Sequence, residues 1–404
     1  MIKARVVNTD HFNTTLTTLE DLPSITWTYK RSDMGSASWV VPLSHPNLEG
    51  VTSDSGDPLT VGPDVRGFGP KLTDFRIGVS DTGSYGTWNT VFGGICGPVG
   101  LDSDMSAVSV SGTNWLAWLE QPYRFPGYAQ DWTTTTPTQA DILKLWANTT
   151  DASVIIANLV ANLWNGNQDE SVHITTTFTG TDWSTYPFPQ WKMIGENATV
   201  LSMIKSLGGW VEPNGFEFYM GYDKILHIYS PRYRKGYPKS YVEAVSLVTF
   251  SPSNNNIIKL NWTNTGPKAI TTIGMPAAFP AIKGYSTYAP SVAVYRNWWQ
   301  LRSIGSTEDF KDQHETDKLT ESWGKQDRFP QKALTITFQP ETLTPDNPSY
   351  YFYDKTGEIV RVQSENWFQP YLSIDAYFWI DTQTLACDDA GNWTCTCELE
   401  QIYF

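Results

Sequence analysis

Charged residues are scarce in this sequence, and most of those present are acidic. Asp, Glu, Lys and Arg make up 17% of the 404 residues, below the roughly 25% of an average soluble domain. The 42 acidic residues outnumber the 28 basic ones and leave a net charge of -14. This balance argues against a groove that grips nucleic acid, because such a groove needs clustered Lys and Arg. A surface past which DNA slides remains compatible with it, since like charges repel.

Long apolar segments are also missing. No stretch approaches 18 uninterrupted apolar residues, so we predict no transmembrane helix. The N-terminal residues contain no apolar run of signal-peptide length, and synthesis in the cytoplasm is therefore the default expectation.

Signatures of catalysis and metal binding are absent as well. The chain has no G-x-S-x-G elbow, no phosphate-binding P-loop and no H-E-x-x-H helix, and its five histidines lie far apart. Three of the four cysteines (Cys387, Cys395 and Cys397) cluster without the paired spacing of a zinc site. We expect Cys395 and Cys397 to be buried on one face of a strand. The sequence therefore predicts no catalytic residue, no metal site and no cofactor.

Aromatic residues, in contrast, are abundant, with 18 Trp, 20 Tyr and 18 Phe. The densest groups are Trp115 with Trp118, Trp298 with Trp299, and the run at 350–353. Such residues fill the cores of β-sheet proteins and anchor interfaces, but they also form platforms on which sugars stack. We favour core and interface positions, and a carbohydrate-binding surface stays open as the alternative.

The first and last thirds have the pattern of short β-strands. Apolar and polar residues alternate at 25–29 and again at 372–380, as they do in half-buried strands. The pair Gly93–Gly94 interrupts an apolar strand at 88–97, where a bulge or a close backbone approach is expected. A polar loop at 98–105 then separates this strand from the next.

The middle third indicates a small α+β unit. Asp151 can cap a helix that ends near Gly166, and a second helix is expected between a cap at Asn197 and the glycine at Gly208. The segment 210–230 follows with the pattern of two or three strands joined by tight turns. One further helix, polar and exposed, is expected in the last third at 309–324.

Two stretches of the chain contain a distinctive order of motifs. In 87–120, an aromatic-Gly-Gly-aliphatic turn precedes a polar loop, a Val-x-Val strand and a Leu-rich turn. The residues that form this order are Phe92, Gly93, Gly94, Ile95, Val108, Val110, Gly112, Trp115, Leu116 and Leu119. This order resembles that of tail hub proteins of tailed bacteriophages. The segment 197–230 resembles the helix, Gly-Gly turn and β-hairpin of the same family. The overall order of strands, an α+β insertion and further strands also fits.

This resemblance implies a mainly β fold with a smaller α+β part, built from two tail-tube-like antiparallel β-barrels and an inserted α+β module. The first barrel is expected at residues 1–128, the insertion at 129–235, and the second barrel, with a small helical or loop insertion, at 236–404. Three chains would form a ring at the virion tail tip that adapts the sixfold tail tube to a threefold tip.

The family also implies partners for such a ring. They are two further copies of the chain, a distal tail protein or tail tube protein, a tape measure protein, and a central spike or fibre protein. DNA would pass through the lumen without specific binding, and acids on the polar faces of strands would line it. We name Asp375, Glu398 and Glu400 as candidate lumen acids, although Glu398 and Glu400 also fit an ordinary solvated surface.

Two rival functions are compatible with the composition. A receptor- or carbohydrate-binding tail protein would explain the aromatics, but such chains often contain repeats, and none is found. A β-rich polysaccharide hydrolase is supported only by the aromatics and by plentiful carboxylates. Since the sequence ends on a strand, we expect any hydrolytic activity to belong to another protein. Aromatics along an open groove would favour these rivals, and buried aromatics would favour the hub.

Overall fold

The computed structural model describes most of the chain, and its elements are mainly β-strands, as predicted. The described residues are 2–9, 15–48, 73–80, 87–102, 104, 106–120, 151–168, 170–180, 183, 199–208, 215–230, 248–251, 257–267, 271–276, 283–287, 299–304, 313, 316–317, 320–321, 330–343, 348–368, 372–388 and 390–401.

The strands are numbered in chain order. They are β1 (Lys3–Thr9), β2 (Thr15–Glu20), β3 (Ser24–Lys30), β4 (Ser36–Pro42), β5 (Asp74–Ser80), β6 (Asn89–Leu101), β7 (Ala107–Asn114), β8 (Thr175–Gly180), β9 (Glu217–Met220), β10 (Ile225–Ser230), β11 (Thr249–Phe250), β12 (Lys259–Pro267), β13 (Thr271–Pro276), β14 (Gly284–Thr287), β15 (Trp299–Ile304), β16 (Pro330–Phe338), β17 (Ile359–Phe368), β18 (Leu372–Cys387) and β19 (Trp393–Gln401).

Helical segments are short. Among the described residues, the α-helices with defined bounds are α1 (Leu116–Leu119), α2 (Ala152–Asn158), α3 (Val200–Gly208) and α4 (Pro340–Leu343). A π-helical segment, Leu159–Trp164, continues α2. Single 3-10 turns lie at Pro46–Leu48, Asn165–Asn167, Glu170–Val172 and Tyr350–Phe352.

Thirteen strands form one main sheet that joins the two ends of the chain. Its order is β12-β16-β19-β18-β3-β4-β7-β6-β5-β1-β2, and β17 pairs with β18 and with β11. The central pairing is β3 against β18, so strands of the first third continue directly into strands of the last third. All neighbours along this path are antiparallel. The domain boundaries inferred from the sequence stay predictions.

One hydrophobic core lies against a single face of this sheet and draws on both ends of the chain. Trp27 of β3 and Trp39 of β4 are 0% and 1% exposed, and the ring of Trp27 packs edge-on to that of Trp393 at 5.4 Å. Cys395 and Cys397 are buried in the same core with their sulfur atoms 3.9 Å apart. The prediction that these two cysteines share a buried face is therefore confirmed.

A second core belongs to the α+β module in the middle of the chain. Here β8, β10 and β9 form a three-stranded sheet, and the apolar faces of α2 and α3 are buried with it. The Asp151 carboxylate accepts a hydrogen bond from the Ser153 backbone N–H at 2.8 Å, which confirms the predicted cap. For α3 the cap is Thr199, because its hydroxyl accepts from the Ser202 N–H at 3.0 Å. The expected cap, Asn197, lies outside the described residues.

Two local expectations differ from the structure. Strand β6 continues to Leu101, two residues beyond a register shift between Cys96 and Val99, so the expected loop at 98–105 is shorter. The shift accommodates Pro98, which has no N–H to donate to β7. In the expected exposed helix at 309–324, the described residues are helical, but Thr316 and Thr320 are fully buried.

Candidate functional site

The main sheet has a polar face opposite its core, and hydroxyl residues line it. Along β16, β19, β18, β3, β4 and β7, every second side chain points away from the core. The residues that face each other across these six strands form one row, which we call the hydroxyl row: Thr337, Thr396, Thr384, Thr28, Ser36 and Thr113. The outward side of the six strands is called the hydroxyl face below.

Cross-strand hydrogen bonds order this row. The hydroxyl oxygens of Thr28 and Thr384 are 3.0 Å apart, and those of Thr337 and Thr396 are also 3.0 Å apart. Threonine suits these positions for two reasons. Its β-branched side chain favours strands, and its hydroxyl can form a hydrogen bond with a neighbour across the sheet. The row thus presents short, uncharged side chains, four of which are hydrogen-bonded in pairs.

The rows on either side are similar but not identical. One consists of Thr394, Ala386, Thr26, Ser38 and Ser111. The other contains two charges and consists of Thr335, Glu398, Thr382 and Lys30. Over three rows the face therefore has small side chains, with the charged residues confined to one side.

All three acids proposed from the sequence lie on the outward side of the sheet. Asp375, Glu398 and Glu400 are exposed, while their strand neighbours Ile374 and Leu399 are buried. Alternation along a strand predicts this orientation, and the structure agrees with it. Their position in a lumen stays a prediction.

Asp375 forms a two-pronged ion pair. Its Oδ1 accepts from Nε of Arg361, and its Oδ2 accepts from Nη2, both at 2.8 Å. Arg361 belongs to β17, next to β18. The hydrogen bonds from Arg361 hold the pKa of the Asp375 carboxyl below its usual value, and they raise the pKa of Arg361 in return.

Glu400 shares a second arginine with Asp381. Arg31, just after β3, lies 3.1 Å from the Asp381 carboxylate, binds Glu400, and has its guanidinium 5.5 Å from the ring centroid of Trp379. Burial raises the pKa of the Asp381 carboxyl above its usual value, and Arg31 opposes this shift. Burial by itself would lower the pKa of Arg31. The negative charges of Glu400, Asp381 and Glu217 outweigh this effect, and the pKa of Arg31 is raised.

Sequence reasoning missed Asp381 and both arginines. Asp381 continues the outward alternation of β18, so that signal was available in the sequence. Its position also coincides with a register shift between Ile380 and Thr382, which sequence alternation does not reveal. Arg31 is far from its partners in sequence, and local patterns do not indicate such a contact.

A shallow concavity of about 520 Å³ lies at one end of the hydroxyl face. Its lining includes Thr26, Thr394, Cys387 and Asp388, and no aromatic ring is among the described residues around it. A platform for stacking sugars would need such rings.

Four of the six described aromatic residues in the groups singled out from the sequence are buried, and Tyr350 and Tyr353 are half-buried against the main core. Trp115 and Trp118 are 0% and 7% exposed, and Trp118 stacks on Trp164 at 5.9 Å. Tyr351 and Phe352, from the run at 350–353, are 1% and 0% exposed. The side chains of Trp298 and Trp299 lie outside the described part. Core filling explains the described groups.

A buried ion pair connects the module to the main sheet. Nζ of Lys224, in the turn between β9 and β10, lies 3.5 Å from Oδ2 of Asp74 on β5. The same nitrogen lies 4.8 and 5.0 Å from the ring centroids of Trp115 and Trp118, and it donates to the Ser171 carbonyl at 2.8 Å. Burial lowers the pKa of Lys224, which Asp74 opposes. Nothing in the sequence pattern indicates this contact.

The described residues provide neither a cluster of metal ligands nor a membrane-spanning helix. Within these segments, no group of three or more His, Cys, Asp or Glu side chains could hold a metal ion. Nor does any helix there have the length and apolar character needed to cross a membrane.

Comparison with known structures relates the chain to phage tail proteins. It is similar to the tail protein from Neisseria meningitidis MC58, with a TM-score of 0.58 and 12% identity over 99% of this chain and 96% of that one. It is also similar to the 43 kDa tail protein of prophage MuSo2 from Shewanella oneidensis, with a TM-score of 0.57 and 13% identity over 99% and 98% of the chains. No protein-family model matches the sequence, and no curated protein matches it.

At such low identity the similarity shows a shared fold. Because it covers nearly the whole of each chain, it includes the main sheet and the module together. The resemblance to tail proteins noted in the sequence, and the mainly β class it implies, are confirmed at the level of the fold.

Proposed function

We propose that this chain is a structural tail hub protein of a bacteriophage virion. Three copies form a ring at the distal end of the tail, where the ring adapts the sixfold symmetry of the tube to a threefold tip. The chain has no catalytic role. Its neighbours are a distal tail protein or tail tube protein, the tape measure protein, and a central spike or fibre protein.

The observation that carries this proposal is the continuous hydroxyl face on a sheet whose fold is shared with phage tail proteins. The face extends across six strands from both ends of the chain, and its middle row contains only Thr and Ser. In the ring, this face lines the lumen, and Asp375, Glu398 and Glu400 are lumen residues.

Such a wall suits the passage of DNA. Tight DNA binding requires Lys and Arg that displace counterions from the phosphates. Hydroxyl groups carry no charge, and in the hydroxyl row Thr28 and Thr384 already hydrogen-bond to each other. The net charge of -14 adds a weak, long-range repulsion. The duplex therefore meets a wall that neither holds it nor blocks it.

The buried aromatics support a scaffold over the rival functions. A sugar-binding or hydrolytic groove would present rings and converging carboxylates to solvent. Here the described Trp115, Trp118, Tyr351 and Phe352 serve the two cores.

The native mass of the purified protein tests this proposal. Three chains of 45.4 kDa give a closed ring of about 136 kDa, and we expect this species to bind its distal tail protein. A protein that stays monomeric at micromolar concentration and ignores that partner would contradict the proposal.

A further inference from the structure

Two arginines reach the hydroxyl face, and carboxylates hold both of them. Arg361 is engaged by Asp375 through two hydrogen bonds of 2.8 Å. Arg31 is engaged by Asp381 at 3.1 Å and by Glu400. Three acids of this face, Asp375, Asp381 and Glu400, are thus paired with an arginine.

An arginine without a carboxylate partner on this face would bind DNA phosphates and hinder the passage of DNA. The guanidinium group presents a planar fork of donors that matches the oxygens of a phosphate, and such paired hydrogen bonds are among the strongest in proteins. The same fork can engage only a few acceptors at a time. A carboxylate that already receives the two donors of Arg361 therefore competes directly with a phosphate.

We infer that Asp375, Asp381 and Glu400 act chiefly by occupying Arg361 and Arg31, so that passing double-stranded DNA meets no available guanidinium. This inference rests on the proposed function and specifies how the lumen avoids retaining DNA. It differs from simple repulsion, in which every carboxylate on the face contributes in the same way.

Neutralising Glu398 distinguishes the pairing of arginines from simple repulsion. Glu398 is exposed on the same face of β19 as Glu400, two residues away, and faces Thr335 and Thr382 on the neighbouring strands. Within the described residues it forms no ion pair with an arginine. Neutralising Glu398 removes one negative charge and releases no guanidinium. Neutralising Asp375 removes the same charge and releases Arg361.

The experiment measures binding of a random-sequence DNA duplex to the full-length protein at 50 and 200 mM salt. The variants are Asp375→Asn, Glu398→Gln and the double variant Asp375→Asn/Arg361→Gln. Because the side chain of Asp375 is 55% exposed, its loss should leave folding intact, which thermal melting checks.

We expect Asp375→Asn to bind DNA about tenfold more tightly at 50 mM salt, as one charge-assisted contact would give. The slope of the logarithm of its binding constant against the logarithm of the salt concentration should steepen by about one for each arginine that binds a phosphate. Glu398→Gln should change affinity by no more than about twofold, since an exposed charge is screened. The double variant should return to the wild-type affinity.

Equal gains for Asp375→Asn and Glu398→Gln would overturn the inference in favour of repulsion and leave the proposed function standing. No gain in Asp375→Asn, or a gain that persists in the double variant, would also overturn it. A wild-type protein that already retains the duplex at 200 mM salt would contradict the proposed passage of DNA itself.

Discussion

Thr28 and Thr384 face each other across β3 and β18, with their hydroxyl oxygens 3.0 Å apart, although the two residues are 356 positions apart in sequence. This pair lies where the strands of the first third meet those of the last third. Because of this junction, the polar side of the sheet is continuous across six strands. The hydroxyl face is therefore a property of the whole fold and not of one segment.

Because β6 and β7 approach each other closely at Gly94, we expect a substitution there to destabilise the fold strongly. A methyl group there would overlap the carbonyl oxygen of Thr113, whereas one at Gly100 on the same strand would meet no atom within 4 Å. We expect Gly94→Ala to lower the free energy of unfolding by at least about 2 kcal/mol. Gly100→Ala should change it by less than about 0.5 kcal/mol. Denaturant unfolding of the two variants checks this, and similar values for both would contradict the described register.

The ion pair between Lys224 and Asp74 predicts that the lysine is needed to dock the module. The side chain of Asp74 is 1% exposed and that of Lys224 is 11% exposed. Lys224→Met removes a cation that lies beside a buried carboxylate, and we expect a loss of about 3 to 5 kcal/mol in unfolding free energy.

A matched lysine provides the control. Lys205 pairs with Asp33 at 2.6 Å, but both side chains are more than one third exposed, so Lys205→Met should cost at most about 1 kcal/mol. Adding Asp74→Asn to Lys224→Met should restore part of the loss. If the two lysine variants are equally stable, the buried pair does not hold the module in place.

Cysteine reactivity reports on the cores. Cys96, Cys395 and Cys397 are buried, and Cys387 is half-buried. Burial raises the pKa of Cys96 to about 12 and that of Cys387 to about 11, so few thiolates form near neutral pH. With iodoacetamide at pH 8, we expect slow labelling of Cys387 alone in the folded protein, and of all four cysteines in denaturant. Mass spectrometry checks the count, and rapid labelling of Cys395 would contradict the described core.

The pair of Arg361 and Asp375 predicts a small pH effect on stability. Arg361 holds the pKa of Asp375 below its unfolded value, so the stabilisation is present above that unfolded value. It is lost as pH falls through the lower pKa of the folded state. Since both side chains are at least one third exposed, the difference between wild type and Asp375→Asn should be at most about 1 kcal/mol at pH 7. It should vanish near pH 2, and a difference that grows on acidification would contradict the pairing.

Local patterns predicted the strands and the outward orientation of the acids. Alternation at 25–29 and 372–380 places Trp27 in the core and Asp375 outside, because side chains on a strand switch faces with period two. The cap at Asp151 was also evident, since capping depends on residues only two or three positions away.

Partnership across the sheet was not predictable from the same patterns. Alternation determines the face of a strand but not its neighbour, so the pairing of β3 with β18 had no local signal. For the same reason, the arginines that hold Asp375 and Glu400 were not identified, nor was the contact between Lys224 and Asp74.

The orientation of the hydroxyl face in the assembled ring is the most direct test of the account. An electron cryomicroscopy reconstruction of the purified assembly, alone or bound to its distal tail protein, would provide it. We predict a threefold ring in which Thr28, Thr384 and Thr396 line the central channel. A ring with these residues on its outer surface, or an assembly without a channel, would contradict the account.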